Sequence, residues 1–466
     1  MRGEKWIRGV ALVCALLSLN AAWARGSFAP SQKRGGKPAC NFVPSSNPVR
    51  VWYVSPSGKD SDDCGTRALP FGTILFAVKK ARPGDIIRVQ AGEYPESVVI
   101  GGSVEKGTAE APITLLGEDN ARITPKAIGT NKCIGTLVQV SKPYWIVEGF
   151  EIDVRGEECF GVSFTGDTTG SKLTHCTVHN GTLGAGISIH GNAQGVVIKD
   201  NHIHNFRKKI TDSHGIVIQA PSQNVTIRNN EIRGNAGDAI QCENIDPSKE
   251  ARGINIIKNK LHHNGENGVD IKTCKEVVIR DNTMSRFRKS ETSAGEAIVI
   301  HYSAQDVLIE GNHISDAGRG ISVGGSLVGG QPSPQNVMVY GNTITNIIKS
   351  GSSDGVGIRV ENASDVDIVG NSISNTSGYG LMLGLGSNKN PSGGAALPSS
   401  SLTVTGNAIE GHFLVHLGRD PLRPNLKMYG NQYSSGGTFK SDTTEIQAFT
   451  AWLTASKVDQ GSTQAP

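Results

Sequence analysis

The amino-acid sequence predicts an all-β fold, a single-stranded parallel β-helix in which short strands coil along one axis. A motif of the pattern apolar-x-apolar-x-x-Asn-x-apolar recurs from residue 196 onward, and its asparagines fall 23 to 36 residues apart. A second segment with alternating apolar residues also occurs once per repeat, as in HGIVIQ, DAIQCE and NGVDIK. Glycine supplies 58 of the 466 residues and aromatic residues only 5%, which indicates many turns between short strands. One such coil cannot bury its apolar face alone, so stacked coils must supply the core.

The asparagine of the first motif is interpreted as structural. Asparagine suits a left-handed or bent turn position, where its amide can bond the backbone and the equivalent asparagine of the neighbouring coil. Earlier, degenerate copies of the motif carry Phe150 and Cys176 in its place. The repeated residues are Asn201, Asn230, Asn259, Asn282, Asn312, Asn342, Asn371, Asn407 and Asn431.

The N-terminus has the pattern of a secretory signal peptide. Residues 1–24 combine a basic start, an apolar run and a small-x-small cleavage site at Ala22-Trp23-Ala24. We therefore expect an exported protein, secreted or periplasmic. We place a linker at 25–49, an N-terminal cap with the first coils at 50–117, the β-helix at 118–433, and a C-terminal cap helix with a tail at 434–466.

Charge and cysteine content restrict the class of partner. A net charge of +4 on 466 residues is no concentrated basic footprint, so we expect no nucleic-acid binding. Apart from the predicted signal peptide, no apolar stretch approaches the length of a transmembrane helix, so we expect no membrane insertion. We also expect a monomer. An oxidising compartment favours one or two disulfides, and the candidate pairs are Cys40 with Cys64 and Cys133 with Cys159. Cys242 falls at an inward position and is interpreted as a small buried hydrophobe.

Two helices are expected to cover the open ends of the solenoid. PFGTILFAVKKA (70–81) is amphipathic and precedes the first coils. Near the C-terminus, Asp442-x-x-Glu445 is interpreted as a capping box before IQAFTAWLTASK (446–457). Coverage of this kind protects the unpaired edges of a solenoid.

The N-terminal segment also carries five short motifs. They are Tyr53-Val54-Ser55, Gly58-x-Asp60, Pro70-Phe71-x-Thr73-Ile74, Pro83-Gly84-Asp85 and Gly92-x-Tyr94. This segment resembles the start of secreted right-handed parallel β-helix proteins, including a family of pectate lyases. The resemblance implies a right-handed coil and a relationship to polysaccharide lyases, hydrolases and uronate epimerases. It also suggests a lysine base paired with a calcium site.

Aligning the alternating segments shows which side chains stack on neighbouring coils. The third and fifth positions are apolar and point inward, so the fourth and sixth point outward. The sixth position reads His190, Gln219, Glu243, Lys272, His301, Gly324 and Glu361. The fourth reads Ser188, Val217, Gln241, Asp270, Val299, Ser322 and Arg359, and the position ahead of the segment reads His214, Asp238, Asn267, Glu296 and Arg319. Coils stack about 4.8 Å apart, so Glu243, Lys272 and His301 should be neighbours. A solvated strand face with stacked opposite charges is the alternative interpretation.

This mixture of acids, bases and amides fits the β-elimination of an acidic polysaccharide. Elimination removes the proton α to the uronate carboxylate, so it needs a base and a cation or donors for the developing charge. We interpret Lys272 as the base, which requires a depressed pKa, with His214 and His301 as further catalytic residues. Calcium, which takes six to eight oxygens, is the candidate cofactor, with ligands Asp238, Glu243, Asp270 and Glu296. The candidate substrate-binding residues are Gln219, Gln241, Asn267, Arg207, Lys208 and His190.

Three alternatives to a lyase remain open. A hydrolase needs two carboxylates facing one bond, and Asp238 with Asp270 could be built that way. TDSHG (211–215) resembles the Asp-x-His motif of alginate C5-epimerases, whose histidine takes part in proton transfer at C5, although this chain has Ser213 where that family has proline. The protein could instead be a non-catalytic β-helix that binds an extracellular glycan.

Overall fold

The computed structural model describes residues 49–126, 135–207, 213–243, 249–290, 293–325, 332–351, 353–384, 399–418 and 425–466. These residues fall within one unit, residues 41–466. The predicted signal peptide at 1–24, and all of the predicted linker except its last residue, lie outside them. No helix among the described residues is both long enough and apolar enough to cross a membrane.

Three sheets make up the described part of the chain, each with 14 strands. Each coil passes through the sheets in a fixed order, and we number them in that order. Sheet 1 consists of Val51–Val54, Ile86–Val89, Ile113–Gly117, Trp145–Glu148, Lys172–Thr174, Val197–Lys199, Gln223–Arg228, Arg252–Ile257, Lys275–Arg280, Gln305–Glu310, Gln335–Tyr340, Ser364–Val369, Ser400–Thr405 and Leu426–Tyr429. Sheet 2 consists of Gly92–Pro95, Ala121–Thr124, Glu151–Asp153, Thr177–His179, His202–His204, Glu231–Arg233, Lys260–His262, Thr283–Phe287, His313–Ala317, Thr343–Ile347, Ser372–Thr376, Ala408–Glu410, Gln432–Tyr433 and Thr463–Gln464. Sheet 3 consists of Val98–Ile100, Thr136–Val140, Phe160–Thr165, Ala185–His190, His214–Gln219, Ile240–Glu243, Val269–Ile271, Glu296–Ile300, Arg319–Gly324, Ile358–Glu361, Leu381–Leu383, Phe413–Leu417, Thr438–Ser441 and Thr444–Ile446.

The core of the solenoid is built from stacked columns of inward side chains. In sheet 3, Ile187 pairs with Ile216, and the same register continues through Ile240, Val269 and Ile298. All five side chains have no exposed surface. Parallel pairing in register places identical apolar positions above one another, so each coil covers the next. The predicted parallel β-helix is therefore confirmed.

The asparagine ladder is confirmed as a continuous chain of hydrogen bonds. From Asn201 to Asn431, each side-chain amide donates to the Oδ1 of the next asparagine at 2.9–3.0 Å. The left-handed conformation, however, belongs to the residue before each asparagine, as at Asp200 with φ 57° and Gly311 with φ 62°. The turn is made one residue earlier, and this aims the asparagine side chain into the interior.

Both ends of the coil carry the expected helices. Helix Ile74–Lys80 begins after Thr73, whose side chain accepts from the amide of Phe76, and it buries Ile74, Ala77 and Val78. Helix Phe449–Ser456 buries Trp452, whose ring stacks on that of Phe439, in the last parallel strand of sheet 3, with centroids 4.8 Å apart. Each helix thus places apolar side chains against the terminal coils.

The predicted capping box at Asp442 and Glu445 is wrong. Helix Phe449–Ser456 has Ala448 at its N-cap and no side-chain cap. Glu445 lies instead in strand Thr444–Ile446, which pairs antiparallel with Thr438–Ser441. The chain reverses around Asp442, whose φ is 59°, so the acidic residues belong to a hairpin rather than to the helix.

The cysteine predictions need correction as well. Cys242 is buried as expected, but it forms a disulfide with Cys274, with Cα atoms 6.4 Å apart. Cys274 follows the strand of the next coil, so stacking brings the two sulfurs together although 32 residues separate them in sequence. Cys159 is disulfide-bonded, as predicted; its proposed partner Cys133, like Cys40, lies outside the described residues.

Candidate functional site

The predicted stacking of the outward residues of sheet 3 is confirmed. Gln241 pairs with Asp270, and Asp270 pairs with Val299. The amide of Lys272 donates to the carbonyl of Cys242 at 3.0 Å, so Lys272 lies one coil beyond Glu243. Lys272 Nζ is 3.5 Å from Glu243 Oε1, which means that the two side chains project from the same face.

Asp270, Lys272 and His301 form a tight group at the centre of this face, which we call the central cluster. His301 Nε2 lies 2.8 Å from Asp270 Oδ1, within hydrogen-bond distance. The other carboxylate oxygen, Oδ2, lies 3.7 Å from Lys272 Nζ. Asp270 is only 4% exposed, so its charge must be balanced by these two neighbours.

The charges of the central cluster set its protonation. Burial lowers the pKa of Lys272, but the carboxylates of Asp270 and Glu243 outweigh it, so the pKa lies above the usual lysine value. Burial raises the pKa of Asp270, but His301 and Lys272 outweigh it, so that pKa lies below its usual value. Lys272 is therefore an ammonium ion and Asp270 a carboxylate at neutral pH. A lysine base requires a lowered pKa, whereas the pKa of Lys272 in the protein without substrate is raised.

A cleft of about 570 Å³ opens beside the central cluster. Three further residues predicted from the sequence line it: Gln241, Asn267 and Glu296. Arg319, Arg359 and Glu361 also line it; the alignment placed them in the outward columns but gave them no role in the site. The sequence analysis missed Tyr302 and Glu266 altogether. A cleft of this size suits a sugar unit of a polymer, and its walls carry both signs of charge.

Tyr302 follows His301 in the turn that leaves sheet 3. Its ring centroid lies 4.4 Å from that of His301, and its φ of 53° is uncommon for a residue other than glycine. The left-handed backbone turns the chain sharply, so the phenol borders the same cleft as the imidazole. The signal available in the sequence was only its position next to His301.

An arginine network closes one end of the cleft. Arg319 donates to Glu296 Oε1 at 2.7 Å and to both oxygens of Asp354 at 2.8 Å. Arg359 donates to Asp354 and, at 2.8 Å, to Glu361 Oε2. The Nε of Arg359 is buried with no hydrogen-bond partner among the described residues. Glu296 is consequently held by Arg319 and hydroxyl groups rather than left open to a metal.

His214 belongs to a buried group beside the cleft rather than to its lining. The amide of Asp238 donates to His214 Nδ1 at 2.9 Å, and Asp238 Oδ2 lies 3.3 Å from the same nitrogen. Burial lowers the pKa of His214, but the nearby side-chain carboxylate of Asp238 outweighs it, so the pKa is raised. Asp238 also accepts from Gln241 at 2.9 Å and from the amide of Asn267 at 2.9 Å. These bonds place Gln241 and Asn267 in the cleft wall.

The four predicted calcium ligands do not gather around one point. Glu243 and Asp270 face Lys272, Glu296 faces Arg319, and Asp238 faces His214 and Gln241. Among the described residues, the only one of the four in a group suited to a metal is Asp238, with His214 and Glu266. Calcium prefers six to eight oxygens, so these residues as placed do not fit it.

The remaining predicted residues lie away from the central cluster. His190 is two coils before Glu243, where its Nδ1 lies 3.0 Å from Ser188 Oγ. Gln219 is exposed at a strand end, and Arg207 is exposed with its Nε donating to the carbonyl of Gly234 at 3.4 Å. None of the three lines the cleft. Lys208 lies outside the described residues.

Two solved structures share this fold. A mannuronic acid specific polysaccharide family 6 lyase from human gut microbiota superposes with a TM-score of 0.59 and 16% identity, over 89% of this chain and 91% of that chain. The PL6 family alginate lyase AlyGC superposes with a TM-score of 0.58 and 14% identity, over 84% of this chain and 51% of that chain. At these identities the likeness is one of fold.

Sequence comparison finds a relative and a matching family model. The uncharacterized protein YwoF of Bacillus subtilis (strain 168) is 26% identical over 161 residues, which are 33% of this chain and 29% of that relative. The match thus spans less than a third of the relative's length. The family model described as the right handed beta helix region matches residues 110–247 and 244–441. The stacked coils, the confirmed register and this match lead to one conclusion: the chain belongs to the right-handed β-helix family.

Proposed function

We propose that this protein is a secreted lyase that cleaves an acidic, uronate-containing polysaccharide by β-elimination. The observation that carries the proposal is the convergence of Asp270, Lys272 and His301 on one cleft of about 570 Å³. The fold is shared with two solved polysaccharide lyases, which supports a polysaccharide substrate.

The reaction makes three demands on the protein. A base must remove the proton at C5 of the uronate, and a cation must hold the negative charge that develops on its carboxylate. The bond between C4 and the glycosidic oxygen then breaks, a C4=C5 double bond forms, and the departing oxygen takes up a proton. Each demand is matched by a residue of the cleft.

We assign the base to His301 and the cation to Lys272. The raised pKa of Lys272 keeps its ammonium charged at neutral pH, as a partner for the substrate carboxylate requires. Asp270 holds Nε2 of His301, which leaves Nδ1 to accept the C5 proton. Tyr302, whose phenol borders the same cleft, is the donor to the departing oxygen. The assignment involves no metal-dependent step.

The assignment of the base differs from the sequence-based interpretation, in which Lys272 takes the proton. A lysine base would be active only where Lys272 loses its proton, above the usual lysine value of about 10.4. A histidine base gains activity between about pH 5 and pH 8. The dependence of kcat/KM on pH therefore separates the two roles.

The direct test is the ultraviolet absorbance of the new double bond during incubation with pectate, alginate and glycosaminoglycans, with and without calcium. Lys272→Ala and His301→Asn are each expected to lower kcat/KM on the active substrate by about 100- to 1,000-fold. The matched control is Lys440→Ala, which removes a lysine from the final strands of the same sheet. Far-ultraviolet circular dichroism verifies that each variant keeps its strands.

Other outcomes would favour the alternatives. Binding of a uronan without any new absorbance across the panel would support a glycan-binding β-helix. Exchange of the C5 proton with labelled water, without chain cleavage, would support a C5-epimerase. Full activity of Lys272→Ala would remove Lys272 from the mechanism.

A further inference from the structure

A second group of potential ligands lies on sheet 2, away from the sheet that carries the cleft. Glu151 and Asp153 belong to one strand, and His179 lies directly opposite Asp153 on the next coil. His204 lies opposite His179 one coil further on. Two carboxylates and two imidazoles are thereby stacked on three consecutive coils.

The distances among Glu151, Asp153 and His179 are close to those between ligands of a shared ion. His179 Nε2 lies 3.1 Å from Glu151 Oε1, and His179 Nδ1 lies 3.8 Å from Asp153 Oδ1. One donor atom from each of these three residues can be chosen so that all lie within 4.8 Å of one another. Two ligand atoms about 2.0–2.2 Å from one tetrahedral ion are about 3.3–3.6 Å apart. His179 Nε2 and Glu151 Oε1 already have nearly this spacing, whereas Asp153 must turn towards Nε2, because its short contact is with the other ring nitrogen.

His204 adds an observation that the ion pairs do not explain. Its ring stacks on that of His179, with centroids 5.1 Å apart and planes 14° from parallel. Its Nδ1 is buried and has no hydrogen-bond partner among the residues that the structure describes. A buried ring nitrogen without a partner loses its bond to water without compensation, unless a ligand supplies one.

Neighbouring groups also hold the carboxylates of Glu151 and Asp153 in fixed orientations. Arg122 lies 2.8 Å from Glu151 Oε2, which leaves Oε1 towards His179. The amide of Arg155 donates to Asp153 Oδ1 at 3.0 Å, and Asn180 donates to the same oxygen at 3.2 Å. Contacts of this kind orient the ligands of metal sites.

We propose that Glu151, Asp153 and His179 bind a transition-metal dication, with Zn²⁺ as the simplest candidate, and that the ring of His204 turns out of its stack on His179 to supply a fourth ligand. Two imidazoles exclude a calcium-type site, which is built from oxygens alone, and match the mixed nitrogen and oxygen sets of zinc. The ion would join three consecutive coils on sheet 2. The site is independent of the lyase proposal, since it shares no residue with the cleft.

The test uses untagged, full-length protein that has been treated with a chelator and then titrated with ZnCl₂ in a calorimeter. One Zn²⁺ per chain is expected to bind and to raise the thermal unfolding midpoint. His179→Ala and His204→Ala are each expected to weaken this binding by at least about tenfold and to remove the thermal shift.

The matched control is His202→Ala, which changes the histidine two residues before His204 on the same strand. Its side chain is exposed and lies near Glu231 rather than near the proposed ligands. It is expected to bind Zn²⁺ as the wild type does. Failure of the wild type to bind Zn²⁺, undiminished binding by His179→Ala, or an equal loss in His202→Ala would each overturn the proposal.

Discussion

Replacing Asn282 with alanine tests whether the asparagine ladder holds the coils together. Asn282 has no exposed surface, and its side chain takes part in four hydrogen bonds. It donates to the carbonyl of Ile256 at 2.9 Å and to Asn312 Oδ1 at 3.0 Å. Its own Oδ1 accepts from the backbone amide of Asn259 at 2.8 Å and from its side chain at 3.0 Å.

The cost follows from these four bonds. A hydrogen bond contributes about 1 kcal/mol to the free energy of unfolding, and a buried group left without a partner costs at least that much. Alanine removes all four bonds at once and leaves a void where the amide was. We therefore expect Asn282→Ala to lower the free energy of unfolding by about 4 kcal/mol or more.

Urea-induced unfolding followed by circular dichroism measures the effect. Long repeat arrays can unfold in several steps, so the lowest transition midpoint is the quantity to compare. The control is Asn255→Ala, which changes an outward, half-buried asparagine of strand Arg252–Ile257. Equal midpoints for the two variants would refute the reasoning, because the ladder would then contribute no more than a surface residue.

Three further predictions concern the disulfide, acid stability and the base. Replacing Cys242 and Cys274 together with alanine should lower the free energy of unfolding by about 3–4 kcal/mol in the chain-entropy description, since their bond closes a 32-residue separation; a urea midpoint equal to that of the oxidised wild type would contradict this. Burial raises the pKa of Asp354, but two neighbouring arginines outweigh it, so the folded-state pKa lies below the unfolded value of about 3.9. The resulting stability is present above that unfolded value and is lost as the pH falls through the lower folded-state value. Asp354→Asn should therefore flatten the acid-side fall of the thermal midpoint, whereas the exposed control Asp62→Asn should keep the wild-type slope. Finally, kcat/KM should already be high well below pH 10 if Lys272 acts as the cation, and a rise only above about pH 10 would make Lys272 the base.

The stacking of Glu243, Lys272 and His301 could be predicted without coordinates for a simple reason. Side chains alternate along a strand, and a slip of one residue would expose every apolar side chain of the coil. The alternating apolar positions therefore specify one register, and the register specifies which outward residues are neighbours. The asparagine ladder follows from the same repeat.

Three features that the sequence analysis missed lie where the repeat does not apply: Tyr302 at the cleft, the disulfide, and the hairpin before the last helix. Tyr302 borders the cleft because the turn after His301 is left-handed, and the alternation of the strand says nothing about that turn. The disulfide joins Cys242 of a strand to Cys274 of a following turn, so neither spacing nor periodicity pairs them. The capping-box pattern failed because the chain forms a hairpin before the last helix.

The repeat period and the alternation of apolar residues thus suffice to specify the coil, its register and the polar columns of its outer face. Which polar side chains share a cleft, and in which protonation state, depends on contacts between coils. Lys272 shows this most clearly, because its pKa follows from Asp270 two residues away and from Glu243 on the preceding coil. The alternation of inward and outward side chains is set by backbone geometry and burial. The protonation state of a side chain in the cleft depends instead on charges of other coils, which folding brings within a few ångströms of it.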